Sequence, residues 1–286
     1  LSVHNAYAPV VIGAADSVDP RSVYYAMLAA PTLIEGNLAD LSALLASHEA
    51  PGRPISIAVT EWGPFFHIQP GNPWVDHIKT MGSALFVAST MNTFLRSPRV
   101  RIAAFFKLTD QGFMGWIGKR DGRFTATAPY LVFQLYRDAL GDTLVETRTT
   151  GPTFRGGGVG VVDSVDGVPY LDAVATFDNG VLSVVVLNKS DRQTLDTTLN
   201  FQGVEGWRQA TFRTISAQTL DAHTGTELPR IPGLRWAEQV NLEAFERGGP
   251  DQIRSRKGSV ETTVPPLSHS FPPLSVTHLR FEGVRH

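Results

Sequence analysis

Ile55-Ser56-Ile57-Ala58-Val59-Thr60-Glu61-Trp62-Gly63 passes from apolar and β-branched residues into a carboxylate, an indole and a glycine. Parallel strands covered on both faces are nearly all apolar, and 55–59 has that character. An unpaired charge is too costly inside such a strand. Glu61 therefore belongs where the strand runs out into a loop, which in barrels of alternating strands and helices is the catalytic face.

Downstream, Phe65, Phe66 and His67 make an aromatic loop. Asn72-Pro73 is expected to cap and open a helix that runs through Ile78, Met81, Leu85, Met91 and Phe94 to about Arg96, where Pro98 stops it. Residues 101–108 read as a second buried strand, with Thr109, Asp110 and Gln111 at its exit and a loop carrying Trp116 after it. Ala128-Pro129 opens another helix, ended by Gly141. Upstream, residues 1–4 read as a strand end, and His4, Asn5 and Tyr7 then fall where a barrel places substrate-binding groups. A histidine bonded only to its neighbours is the other reading of His4. Residues 22–47 carry apolar residues at spacings of three and four, with Pro31 and Gly36 suggesting an interruption or two helices. Strand, helix, strand, helix, strand, helix is an α/β order with parallel strands. Three such units do not close an eight-stranded barrel, so the sheet is either small and open or the last part of a barrel.

After Gly141 the pattern changes to short strands, expected over 143–149, 170–177, 182–187, 194–201, 209–216 and 276–281. Asp178-Asn179-Gly180 and Asn188-Lys189-Ser190-Asp191 supply turns between them. This part reads as a β-sandwich or jelly roll. The fold class is thus α/β plus all-β, with an α/β domain over 1–141 and a β-sandwich over 142–286. Gly156-Gly157-Gly158 is a turn and not a phosphate loop, since no helix start follows it. Residues 241–273, polar and proline-containing, are expected to form an extended loop.

Composition narrows the function. The 286 residues are 42% hydrophobic and 18% charged, the profile of a globular chain. A net charge of -2 gives no electrostatic case for nucleic acid or an anionic membrane. No apolar run approaches the roughly 20 residues of a membrane span. The absence of cysteine removes disulfides, thiolate metal sites and cysteine nucleophiles, but leaves the compartment undecided. The eight histidines are scattered without ligand spacing, so neither metal nor cofactor is expected, and no dinucleotide or Walker fingerprint occurs.

Several segments, in order, resemble the α-L-arabinofuranosidases of glycoside hydrolase family fifty-one. Leu1-Ser2-Val3-His4 resembles a strand with a substrate-binding histidine; a tyrosine follows, here Tyr7, one residue later than in the family. Val59-Thr60-Glu61-Trp62 resembles the nucleophile strand, the seventh of eight, and 91–96 the helix after it. Pro129-Tyr130 with Phe133-Gln134-Leu135-Tyr136 resembles the last barrel helix. In the sandwich, 182–199 resembles a strand pair with Asn188 at its turn. Phe245-Glu246, Pro250-Asp251 and 271–276 resemble the closing segments. Lys107 stands where the family tends to place a glutamine facing the substrate, and the family's Asn-Glu acid/base pair occurs nowhere in the sequence.

The resemblance implies the C-terminal part of a (β/α)8 TIM barrel followed by a β-sandwich. It implies a retaining hydrolase of arabinose-containing oligo- or polysaccharides such as hemicellulose, with Glu61 as nucleophile, the acid/base glutamate upstream of Leu1, and no turnover by the present chain alone. Hexamers are frequent in the family, so a homo-oligomer is a further expectation. His4, Asn5, Tyr7, Trp62, Lys107, Gln111 and Trp116 are the candidate substrate-binding residues, with Lys107 equally able to pair with a carboxylate. Other retaining glycosidases of the same barrel clan, a β-xylosidase or endo-glycanase, and a non-catalytic carbohydrate-binding protein are the competing readings.

Overall fold

The computed structural model describes residues 1–7, 10–11, 19–66, 77–108, 115–120, 123–225 and 252–285. Its first part alternates strands and helices: β1 (Ser2–Tyr7), β2 (Val10–Val11), α1 (Pro20–Ala46), β3 (Ile57–Trp62), β4 (Phe65–Phe66), α2 (Met81–Arg96), β5 (Val100–Phe105), the hairpin β6 (Ile117–Arg120) and β7 (Arg123–Ala126), and α3 (Ala128–Ala139). β1, β3 and β5 form a parallel sheet in the order β1-β3-β5, with His4 opposite Glu61 and Val59 opposite Ala103. Ile57, Val59 and Trp62 are buried under the helices, whereas Thr60 is exposed. β5, expected to be buried, is open on both faces at its centre: Arg101 through Ala104 are exposed, Ile102 at 61%. It is the edge strand of this sheet, paired with β3.

α1 is one continuous helix, which corrects the expected interruption. Asp19 caps it by accepting from the Ser22 amide, and Pro20 occupies the first turn, where a missing N–H costs nothing. Pro31 lies inside it. An internal proline costs about 3 kcal/mol, but Val23 to Ala30 are all buried, and that packing outweighs the cost. α2 is apolar nearly all round and is enclosed accordingly, with Leu85, Phe86 and Val87 fully buried. Gly82 is required there, since a Cβ would come within 2.3 Å of the Tyr24 ring on α1. The expected helix start at Asn72-Pro73 lies outside the described residues; α2 itself starts after Thr80, whose side chain accepts from the Ser83 amide.

The second part holds β8 (Thr143–Val145), β9 (Thr153–Gly156), β10 (Val165–Pro169), β11 (Leu171–Asp178), β12 (Val181–Asn188), β13 (Leu195–Leu199), β14 (Gln209–Ser216), β15 (Arg254–Val260), β16 (Leu267–Phe271) and β17 (Ser275–Glu282). Six of them make an antiparallel sheet in the order β15-β14-β17-β12-β11-β8. One face, with Val174, Val185, Leu187, Ile215 and Val276, packs on the helices. The other, with Val184, Val186, Leu279 and Phe281, packs on Leu195, Leu267 and Phe271 of the β13-β16 pair and on Trp207. Cover on both faces explains why β11 and β12 are apolar at most positions on both faces instead of strictly alternating.

Both β15 and β16 fall inside 241–273, the expected loop, which is a correction. Arg254-Ser255-Arg256-Lys257 carries no apolar alternation because β15 is an edge strand whose side chains are mostly exposed. Its pairing to β14 comes from backbone hydrogen bonds, which leave no trace in side-chain hydropathy. The β6-β7 hairpin and the β9-β10 pair were likewise invisible. The turn at Gly157 and Gly158 is borne out by φ of +85° and +71°.

Candidate functional site

Glu61 sits at the C-terminal end of β3, as the apolar run before it dictates, with 23% of its side chain exposed. His4 comes from the neighbouring parallel strand, and its Nε2 lies 3.4 Å from Glu61 Oε2. The pairing follows from register: parallel strands in phase deliver their ends to the same edge of the sheet. His4 Nδ1 is 3.1 Å from the Thr60 hydroxyl, which also lies 3.1 Å from Ser2 Oγ and donates to the Val3 carbonyl at 3.2 Å. Ser2, Thr60, His4 and Glu61 thus form a polar string on the open face of the sheet. Sequence reading did not single out Thr60 or Ser2. The available signal was alternation, which puts Thr60 on the face opposite Val59. Gly63 follows because a Cβ there would meet the Phe106 carbonyl at 3.1 Å and the Phe105 ring at 3.2 Å.

Three candidates lie on the other side. Tyr7 is buried, donates its hydroxyl to Asn37 Oδ1 at 2.9 Å, and packs on Phe94. Register shifts on either side of His4 bring Tyr7 opposite Trp62, on the helix side, and its burial raises the phenol pKa above the usual range. Trp62 is 1% exposed and meets Phe94 and Phe105 edge-on, with centroids 5.1 Å away in each case. Trp116, 7% exposed, packs against Phe105 and Phe133. These side chains are committed to packing behind the strands and do not line the open face, a correction to the expected sugar-binding indoles and tyrosine. Lys107 stands at the exit of β5, half-buried, with Nζ 5.5 Å from the Phe106 ring. The Asn5 side chain, Gln111 and His67 lie outside what is described. Among the described residues no group of three or more histidines and carboxylates is placed to hold a metal, and no helix is long and apolar enough to cross a membrane.

A parallel-stranded edge that displays a carboxylate beside a histidine, ahead of a β-sandwich, narrows the relatives. Residues 60–245 match the family model described as the alpha-L-arabinofuranosidase C-terminal domain. The chain belongs to that family. Its fold is that of the C-terminal part of the family fifty-one enzymes. The alpha-L-arabinofuranosidase of Thermotoga maritima, solved as an arabinose complex, superposes with a TM-score of 0.71 at 21% identity, covering 98% of this chain and 52% of that one. The thermostable enzyme of Thermotoga petrophila gives 0.68 at 20% identity, over 88% and 48%. A family 44 xyloglucanase from Paenibacillus polymyxa is more distant, at 0.52 and 14% identity over 98% and 45%. The chain spans about half the length of these relatives. No curated protein sequence matches it.

Proposed function

We propose that this chain supplies the nucleophile of a retaining glycoside hydrolase that releases α-L-arabinofuranosyl residues from arabinose-containing oligo- or polysaccharides. The observation that carries the reading is the Glu61–His4 pair at the C-terminal ends of adjacent parallel strands. Glu61 attacks the anomeric carbon and forms a glycosyl-enzyme, while a second carboxyl group protonates the departing oxygen. That second group then takes a proton from water, which attacks the same carbon and frees Glu61. Retention requires the two carboxyl groups about 5–5.5 Å apart. The sequence has no Asn-Glu pair, so the acid/base is assigned to a segment other than this one. His4 orients the Glu61 carboxylate, and Thr60 fixes the imidazole.

The test uses the polypeptide from the complete natural reading frame. Glu61→Gln should lower kcat/KM for an aryl α-L-arabinofuranoside by at least about a thousandfold, with thermal unfolding unchanged. Retained turnover would remove Glu61 from the mechanism. The fold likeness to a xyloglucanase keeps a second reading, an endo-acting hydrolase of the same barrel clan. A panel of aryl glycosides and β-glucans separates the two.

A further inference from the structure

On the helix-facing side of the six-stranded sheet, beyond the end of α3, lies an open cavity of about 500 Å³. Small-ligand sites typically span about 300–1,000 Å³. β14 places Arg213 directly opposite Lys257 of β15 and His278 of β17. Arg280 lines the same cavity two residues further along β17. Like charges directly opposite each other in a sheet are destabilising. His278 adds no charge near neutral pH, because burial first and the neighbouring arginines second push its pKa down to about 4.

Two carboxylates offset part of the charge of this cluster. Asp138, at the end of α3, pairs its Oδ2 with Arg213 Nη1 at 3.6 Å, without a hydrogen bond, while its Oδ1 accepts from Nε and Nη2 of Arg137. Glu282 accepts from Nε of Arg280. Arg213 Nε is a buried donor with no hydrogen-bond partner among the described residues. A buried donor left unmade is costly.

We propose that this cavity binds a small oxyanion-bearing ligand, a carboxylate such as a sugar acid or a phosphate, through the guanidinium forks of Arg213 and Arg280 and the ammonium of Lys257. A planar fork matches both kinds of oxyanion, and Lys257 contributes a point charge. The inference stands apart from the hydrolase reading, since it uses none of the residues at β1 and β3.

Isothermal titration of the purified chain with sodium galacturonate and with inorganic phosphate tests it, with arabinose and sodium chloride at matched ionic strength as controls. Saturable binding of galacturonate or phosphate is expected, and the tighter of the two identifies the carboxylate or phosphate source. An Arg213→Gln/Lys257→Gln double variant should bind at least about tenfold more weakly. Heats no larger than those of chloride, or undiminished binding by the double variant, would each overturn the proposal. If the double variant does not fold, Arg280→Gln, a half-exposed position, carries the same binding test.

Discussion

At the residue scale, the two faces of one strand separate chemistry from packing. Glu61 and Thr60 point to the open side with His4, whereas Val59 and Trp62 point to the helices. Tyr7 marks the difference most sharply. Its hydroxyl is spent on Asn37, so Tyr7→Phe should cost about 1 kcal/mol of stability, read as a lower urea midpoint, and leave KM for an aryl arabinofuranoside unchanged. A raised KM with unchanged stability would return Tyr7 to the substrate side. The place of Glu61 was legible because a charge ending an apolar run has few places to go. The face taken by Tyr7 was not, because it depends on register shifts beside His4 that hydropathy does not record. Trp62 and Trp116 were misplaced for a related reason: an indole suits a sugar ring and an aromatic core equally well.

At the scale of elements, two glycines in helices have opposite meanings. Gly36 on α1 has nothing within 4 Å of where a Cβ would stand, so Gly36→Ala should raise stability by about 1 kcal/mol. Gly82→Ala gains the same helix propensity but drives a Cβ into Tyr24, and a net loss of about 1–3 kcal/mol is expected. Thermal unfolding of the two variants reads the signs directly, and a stabilised Gly82→Ala would show that α1 and α2 have room to part. The helices and the central strands were legible because burial writes periodicity into sequence. β15 and the β6-β7 hairpin were not, since exposed strands held by backbone hydrogen bonds obey no apolar period.

At the scale of the whole molecule, one core runs from the helices into the six-stranded sheet, taking in Ala84, Val132, Val185 and Val276 alike. A buried polar knot sits in the same interface. Asp172 of β11 accepts from Arg96 Nη1 at 2.7 Å and from Ser89 Oγ at 3.0 Å, both on α2. Close by, the buried Lys189 has its pKa lowered, first by desolvation and in opposition to Asp172. A single unfolding transition is therefore expected. Asp172→Ala should destabilise the fold by about 1–3 kcal/mol without splitting the transition, because Ser89 loses its acceptor while Arg96 keeps Glu35 as a second partner. Two resolved calorimetric transitions in the parent protein would contradict the shared core. The change of pattern at Gly141 located the start of the sandwich strands, but a core that crosses that position is a product of three-dimensional packing and has no linear signature.

The first turn of α2 carries one more consequence. The amides of Met81 and Gly82 donate to the carbonyls of Ala222 and Leu220, each at 2.8 Å, so the β-rich half finishes the helix that backs the Glu61 strand. At the other end of the layer, Thr176 of β11 donates to the carbonyl of Ala139, where α3 ends. The two halves are therefore not interchangeable modules. A chimera joined near residue 141 would inherit helix ends without their acceptors and donors, and shuffling would have to move the 220–222 segment and β11 together with the helices they complete.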